Sequence, residues 1–158
     1  KLWSRHILNS AVVADLVEAG EVVADIGSGA GFPGIPMAIK KPEIKLVLVE
    51  PMERRANWLA QVVVPELGLD NVRVIRSRVE DLPEESFQVA TARAVSALPN
   101  LLKMIAPTVA TGGRILAMKG SKAQEEIDDS QVLMKKLGVK DFEIVRVGEN
   151  VPDVVSPT

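Results

Sequence analysis

The residues best suited to chemistry lie in one run, Asp25-Ile26-Gly27-Ser28-Gly29-Ala30-Gly31-Phe32-Pro33-Gly34. It follows a short β-rich apolar segment, VVADI at 22–26, and leads into a helical pattern. That strand–turn–helix context is what gives a glycine pattern meaning. Glycines accept positive φ and let backbone amides come close to a ligand, and Pro33 suits the first turn of a helix. Such a turn can hold a nucleotide-like ligand. Glu50 ends the second apolar run, nineteen positions after Gly31. A carboxylate there can accept hydrogen bonds from the two hydroxyls of a ribose.

Two registrations of the turn compete. Gly29-x-Gly31-x-x-Gly34 matches the dinucleotide fingerprint. Asp25-x-Gly27-x-Gly29-x-Gly31 matches the acidic-x-G-x-G-x-G pattern of S-adenosylmethionine methyltransferases. The second fits better. Gly27 directly follows the strand, where the turn must begin, whereas Gly29 comes two residues late. Asp25 also has a use in that reading, beside the methionine amino group, and would repel a pyrophosphate. An NAD(P)-binding oxidoreductase domain remains the alternative, and Glu50 serves both. Glu80 and Asp81 follow the third strand, on the same sheet edge, and can bracket an adenine.

The fourth strand leads into Thr91-Ala92-Arg93-Ala94-Val95. Methylation of an exocyclic amine calls for Asn-Pro-Pro or Asp-Pro-Pro at this place, and C5 methylation of a pyrimidine for a cysteine; neither is there. A ring nitrogen such as guanine N7 has a free lone pair and carries no proton, so in-line displacement needs orientation and no general base. Arg93 is the candidate for that positioning, at the cofactor and the target base. Arg54, Arg55, Arg76, Arg78 and Lys119 form a basic set at the strand ends, suited to phosphate or O6 contacts. His6, the only histidine, reads as a packing or capping residue. Trp58 reads as core, and Phe32, inside the turn, as placed to touch a ligand.

The elements that must position these groups alternate. Helices are expected over 2–19, 33–40, 52–67 (bent or broken near Pro65), 98–109 and 123–137. Strands are expected over 22–26, 45–50, 72–76, 87–92, 114–118 and 142–147, with Gly112-Gly113 as the turn into the fifth. This is an α/β pattern of βαβ units, Rossmann-like, with a mostly parallel sheet and helices on both faces. The 158 residues form one domain, 1–158. The opening at Lys1 and the absence of a seventh strand suggest an N-terminal helical segment and a C-terminal strand missing from this chain. A content of 47% hydrophobic and 25% charged residues is that of a globular protein. With no cysteine and one histidine, disulfides, thiolate metal sites and multi-histidine sites are excluded, and no metal is expected. No apolar run reaches membrane length, no signal-peptide pattern opens the chain, and a cytoplasmic monomer is expected. The net charge of −2 gives no global attraction for nucleic acid, so RNA would have to meet a local patch.

Arg5-His6-Ile7-Leu8-Asn9-Ser10, the glycine run with its continuation Ile35-Pro36, Thr91-Ala92-Arg93-Ala94 and Lys119-Gly120 together resemble the ribosomal RNA small subunit methyltransferase G family, also called glucose-inhibited division protein B. The resemblance covers roughly residues 2–120. It implies a bacterial enzyme that uses S-adenosylmethionine to methylate N7 of a guanine in 16S ribosomal RNA, free or in the small subunit. It also implies that Gly27 and Phe32 line the cofactor, that Val79 and Glu80 meet the adenosine, and that Arg93 lies close to cofactor and base. Arg54, Arg78 and Lys119 would be the residues that contact RNA or shape the site. Glu50-Pro51 departs from the family's usual Asp-Ser but keeps the carboxylate.

Overall fold

A computed structural model describes residues 3–93 and 96–148, the side chains of Ser4 and Arg5 excepted. Strands β1 (Val22–Ile26), β2 (Lys45–Val49), β3 (Val72–Ile75), β4 (Phe87–Arg93) and β5 (Val109–Met118) make one sheet in the order β3-β2-β1-β4-β5. Every pairing is parallel. β1 and β2 are nearly continuous in apolar residues because both their faces are covered.

The covering helices are α1 (residues 3–16), α2 (Gly34–Lys40), α3 (residues 53–66), α4 (Leu98–Ile105) and α5 (Ala123–Lys136). Alternate strand residues serve the two faces. Val23, Leu46, Leu48 and Val89 pack against Val13, Ala14 and Val17 from α1 and its end, Ile35 and Met37 from α2, and Leu59 from α3. Ala24, Ile26, Val47, Val49, Ala90 and Ala92 pack against Leu101, Leu102 and Ile105 of α4 and Ile127 and Met134 of α5. The α/β class with helices on both faces is as the alternation predicts.

Several boundaries differ. α1 ends at Leu16, because Val17 turns extended and buries its side chain in the core. α3 runs through Pro65 and is not broken there. Its irregularity is a wider, π-type turn over Leu59–Val63, which contains Gln61, the residue whose carbonyl the proline ring would otherwise meet. α4 stops at Ile105, and a tight turn, Ala106–Thr108, carries Pro107. Gly112 and Gly113 are not a turn before β5 but an irregularity inside it, where the register shifts between Phe87 and Val89. A Cβ on Gly113 would run into the Gln88 carbonyl oxygen.

The expected sixth strand does not form. Residues 142–147 pair with no strand among the described residues, and Phe142 and Ile144 are about half exposed. An apolar pattern suits a strand, but only a neighbouring strand can satisfy its amides. Trp58 is likewise no core residue, being 45% exposed. Ala56 and Leu59 take the buried side of α3 instead.

From β1 the chain moves outward through β2 to β3 and then returns to β4 on the other side of β1. The reversal opens a crevice between the carboxyl ends of β1 and β4, where open α/β sheets bind ligands. Near the other end of β1, Arg114 of β5 donates to both oxygens of Glu21, at 2.7 and 2.6 Å, and to the Leu16 carbonyl at 2.9 Å. The Arg114 hydrogen bonds hold the Glu21 carboxyl below its ordinary range.

Candidate active site

β1 delivers the glycine turn to this crevice. Gly27, Gly29 and Gly31 all have positive φ, at 72°, 58° and 92°, which explains why glycines alternate here. The amides of Gly27 and Ser28 both donate to the Val49 carbonyl, at 2.9 and 3.1 Å, tying the turn to the end of β2. A Cβ on Gly29 would enter open space, its nearest neighbour being the Gly27 carbonyl oxygen at 3.9 Å. Backbone is therefore approachable from that side. Gly34 does another job. A Cβ there would lie 2.6 Å from Leu48 Cδ2 and 2.7 Å from Asp25 Oδ2, so the bare backbone lets α2 press onto the sheet.

Asp25 lies under the turn and not on its open side. It is fully buried on the α2-facing side of β1. Oδ2 accepts the Gly34 amide at 3.0 Å, and Oδ1 has no partner among the described residues. Burial pushes the carboxyl up to about 7, against the opposing pull of the Gly34 amide and the Arg93 cation. Glu50 is also buried, with both oxygens in use: Oε2 accepts the Gly29 amide and Oε1 the Met52 amide, each at 2.9 Å. It thereby locks the turn to the start of α3. A carboxylate has about four acceptor positions, so lone pairs remain for hydroxyl donors.

Val79 and Glu80 form the turn Val79–Asp81 that follows β3, with Val79 buried and Glu80 exposed. They also border a groove of about 300 Å³ that runs along α4 toward Pro107 and Thr108, away from the glycine turn.

Arg93 ends β4, across the crevice from the turn. Its Cζ lies 5.1 Å from the centroid of the Phe32 ring, within cation–π range. Its Nη1 lies 3.0 Å from Nδ1 of His6. The His6 and Phe32 ring centroids are 6.3 Å apart. The fold thus brings together Phe32, Arg93 and a residue that sequence reasoning set aside as packing. His6 and Arg93 stand 87 positions apart, and only the resemblance of the Arg5-His6 motif hinted at importance.

The remaining basic residues divide. Arg54 on α3 and Arg78 after β3 are exposed at the same edge of the sheet. Arg76 pairs with Glu53 at 2.9 Å. Lys119 is engaged: Nζ donates to the Ser96 carbonyl at 2.7 Å and pairs with Glu126 at 2.8 Å. Glu126 also accepts the Leu98 amide at 2.6 Å. Lys119 therefore anchors the entry to α4. Ala94 and Val95, next to Arg93, lie outside the described residues. Among those described, no group of three or more potential ligands could hold a metal ion, and no helix is long and apolar enough to cross a membrane.

Among solved structures, the fold is similar to a SAM dependent methyltransferase from Aquifex aeolicus, with a TM-score of 0.65 and 19% identity over 94% of this chain and 87% of that one. It is also similar to M. jannaschii TYW2 in complex with AdoMet, with a TM-score of 0.71 and 19% identity over 91% and 68% of the two chains. In sequence, the chain is 46% identical to the ribosomal RNA small subunit methyltransferase G of Clavibacter sepedonicus over 157 residues, 99% of this chain and 74% of the relative. It is 48% identical to the protein of the same name from Leifsonia xyli, with the same coverage. The family model for rRNA small subunit methyltransferase G matches residues 1–155. The chain belongs to the rRNA small subunit methyltransferase G family.

Proposed function

We propose that this chain transfers a methyl group from S-adenosylmethionine to N7 of a guanine in 16S ribosomal RNA, acting in the cytoplasm as a monomer that needs no metal. The observation that carries the reading is what meets at the switch point: the glycine turn with the open backbone of Gly29 and the buried Glu50, and Arg93 from the end of β4 over Phe32 of that turn.

The residues fit the cofactor. Gly29 leaves room for close approach and Glu50 keeps acceptor capacity for a ribose, while Asp25, buried beneath the turn, braces it through the Gly34 amide. Gly27, Gly31 and Phe32 shape the same turn, and Val79 and Glu80 supply the edge where the adenosine would lie. When bound, the cofactor supplies an electrophilic methyl on a sulfonium. Guanine N7 brings a lone pair and no proton, so the protein is asked for alignment and not for proton removal. Arg93 aligns, while exposed Arg54 and Arg78 face the polyanion. Lys119 contributes by holding Ser96 at the entry to α4.

The experiment is calorimetric titration with S-adenosylhomocysteine and, in parallel, NADH, followed by methylation of 16S RNA and of intact small subunits with mapping of 7-methylguanine. Saturable binding of the first ligand and a single modified guanine support the proposal. Binding of NADH alone, or methyl groups at another atom, overturns it.

A further inference from the structure

His6 is the residue the proposed reaction leaves unused although the fold carries it into the site. Its contact with Arg93 has only one chemical reading. A guanidinium is always protonated and has no acceptor. The 3.0 Å approach of Nη1 to Nδ1 therefore needs a lone pair on Nδ1, and the ring proton must sit on Nε2. The guanidinium is thus held at two points, its Cζ over the Phe32 ring and its Nη1 on His6. Arginine has a long side chain with several free torsions, and the end of β4 fixes only its base. The two contacts fix its head.

We propose that His6 is a positioning residue, which in its neutral Nε2–H form holds the Arg93 guanidinium against Phe32 in the geometry that methyl transfer requires. The inference rests on the proposed function only in placing Arg93 at the transferring methyl. The clamp therefore needs the Nδ1 lone pair to face Nη1 of Arg93. The other charged groups around the cluster are few. Asp25 on β1 feels Arg93 and, more weakly, Glu50 at the end of β2. On α1 the remaining described charge is Asp15, which is paired with Lys40 at 2.7 Å.

The chain has a single histidine, so its ring nitrogens give unambiguous long-range proton–nitrogen NMR signals. The expected result at neutral pH is the Nε2–H tautomer, with a mixture appearing in Arg93→Ala. In parallel, kcat and KM are measured for His6→Phe, which keeps a ring without the acceptor, and His6→Asn, which keeps an acceptor near Nδ1. His6→Phe should lower kcat about tenfold with little change in KM, and His6→Asn should recover most of the loss. An Nδ1–H tautomer in the wild type, wild-type kcat in a folded His6→Phe, or His6→Asn as slow as His6→Phe would each overturn the proposal. If the wild type does not methylate 16S RNA, the proposed function fails, and the tautomer measurement alone still decides for or against His6.

Discussion

Replacing Asp25 by Asn tests the buried carboxyl beneath the glycine turn. In the folded chain burial moves this group from 3.8 to about 7, so between those values the folded state holds a proton that the unfolded chain has released. The stability associated with that proton is complete below about pH 4 and is lost as pH rises toward 7. That rise corresponds to at most about 4 kcal/mol. Asparagine keeps the acceptor for the Gly34 amide and cannot ionise. Urea unfolding of both proteins, followed by tryptophan fluorescence from pH 4 to 8, gives the difference in stability at each pH. The wild type should lose ground to Asp25→Asn by several kcal/mol as pH rises, then level off above about 7. Glu21, whose carboxyl Arg114 holds low, pulls the opposite way with pH, but it is present in both proteins and cancels in the difference. A difference that stays constant with pH, or a wild type that gains on the variant, would refute the idea that burial dominates at Asp25.

Gly34→Ala should cost about 1–3 kcal/mol in the same urea assay, since its methyl would meet Leu48 and the Asp25 carboxylate below 3 Å. Glu50→Gln should weaken S-adenosylhomocysteine binding about tenfold in calorimetry, because the Gly29 and Met52 amides lose a charged acceptor. Arg93→Ala should lower kcat by about 100-fold while the melting temperature stays near that of the wild type. Arg54→Ala and Arg78→Ala should each reduce the slope of log affinity for RNA against log salt by about 0.7, as read by filter binding.

The sequence pattern carries some features well and others poorly, for identifiable reasons. Runs such as VVADI and KLVLV are apolar on both faces, which only a covered parallel strand needs, so β1 and β2 are plain. The residues 142–147 show a similar pattern, yet a strand also needs a partner, and pairing is a property of the sheet. Asp25 illustrates a related limit. Its place in the motif suggests a ligand contact, but only the packing of α2 on β1 shows it turned inward and bonded to Gly34. Lys119 looks like a surface cation until the fold sets it beside Ser96 and Glu126. Apart from the resemblance of the Arg5-His6 motif, nothing in the sequence marks His6 as a site residue, since its contact joins α1 to the end of β4 across 87 positions.

The strand order also has a temporal meaning. β1, β2 and β3 are joined by two crossovers and can assemble from the first half of the chain, whereas β4, the second neighbour of β1, is made more than sixty residues after it. Until β4 docks, the edge at Val23, Ala24 and Asp25 is a bare central strand, the kind of edge that invites pairing with other chains. The same docking event brings in Arg93. Closing the vulnerable edge and completing the pocket are thus one step of assembly, and a ligand that needs both halves of the pocket favours the closed sheet by mass action.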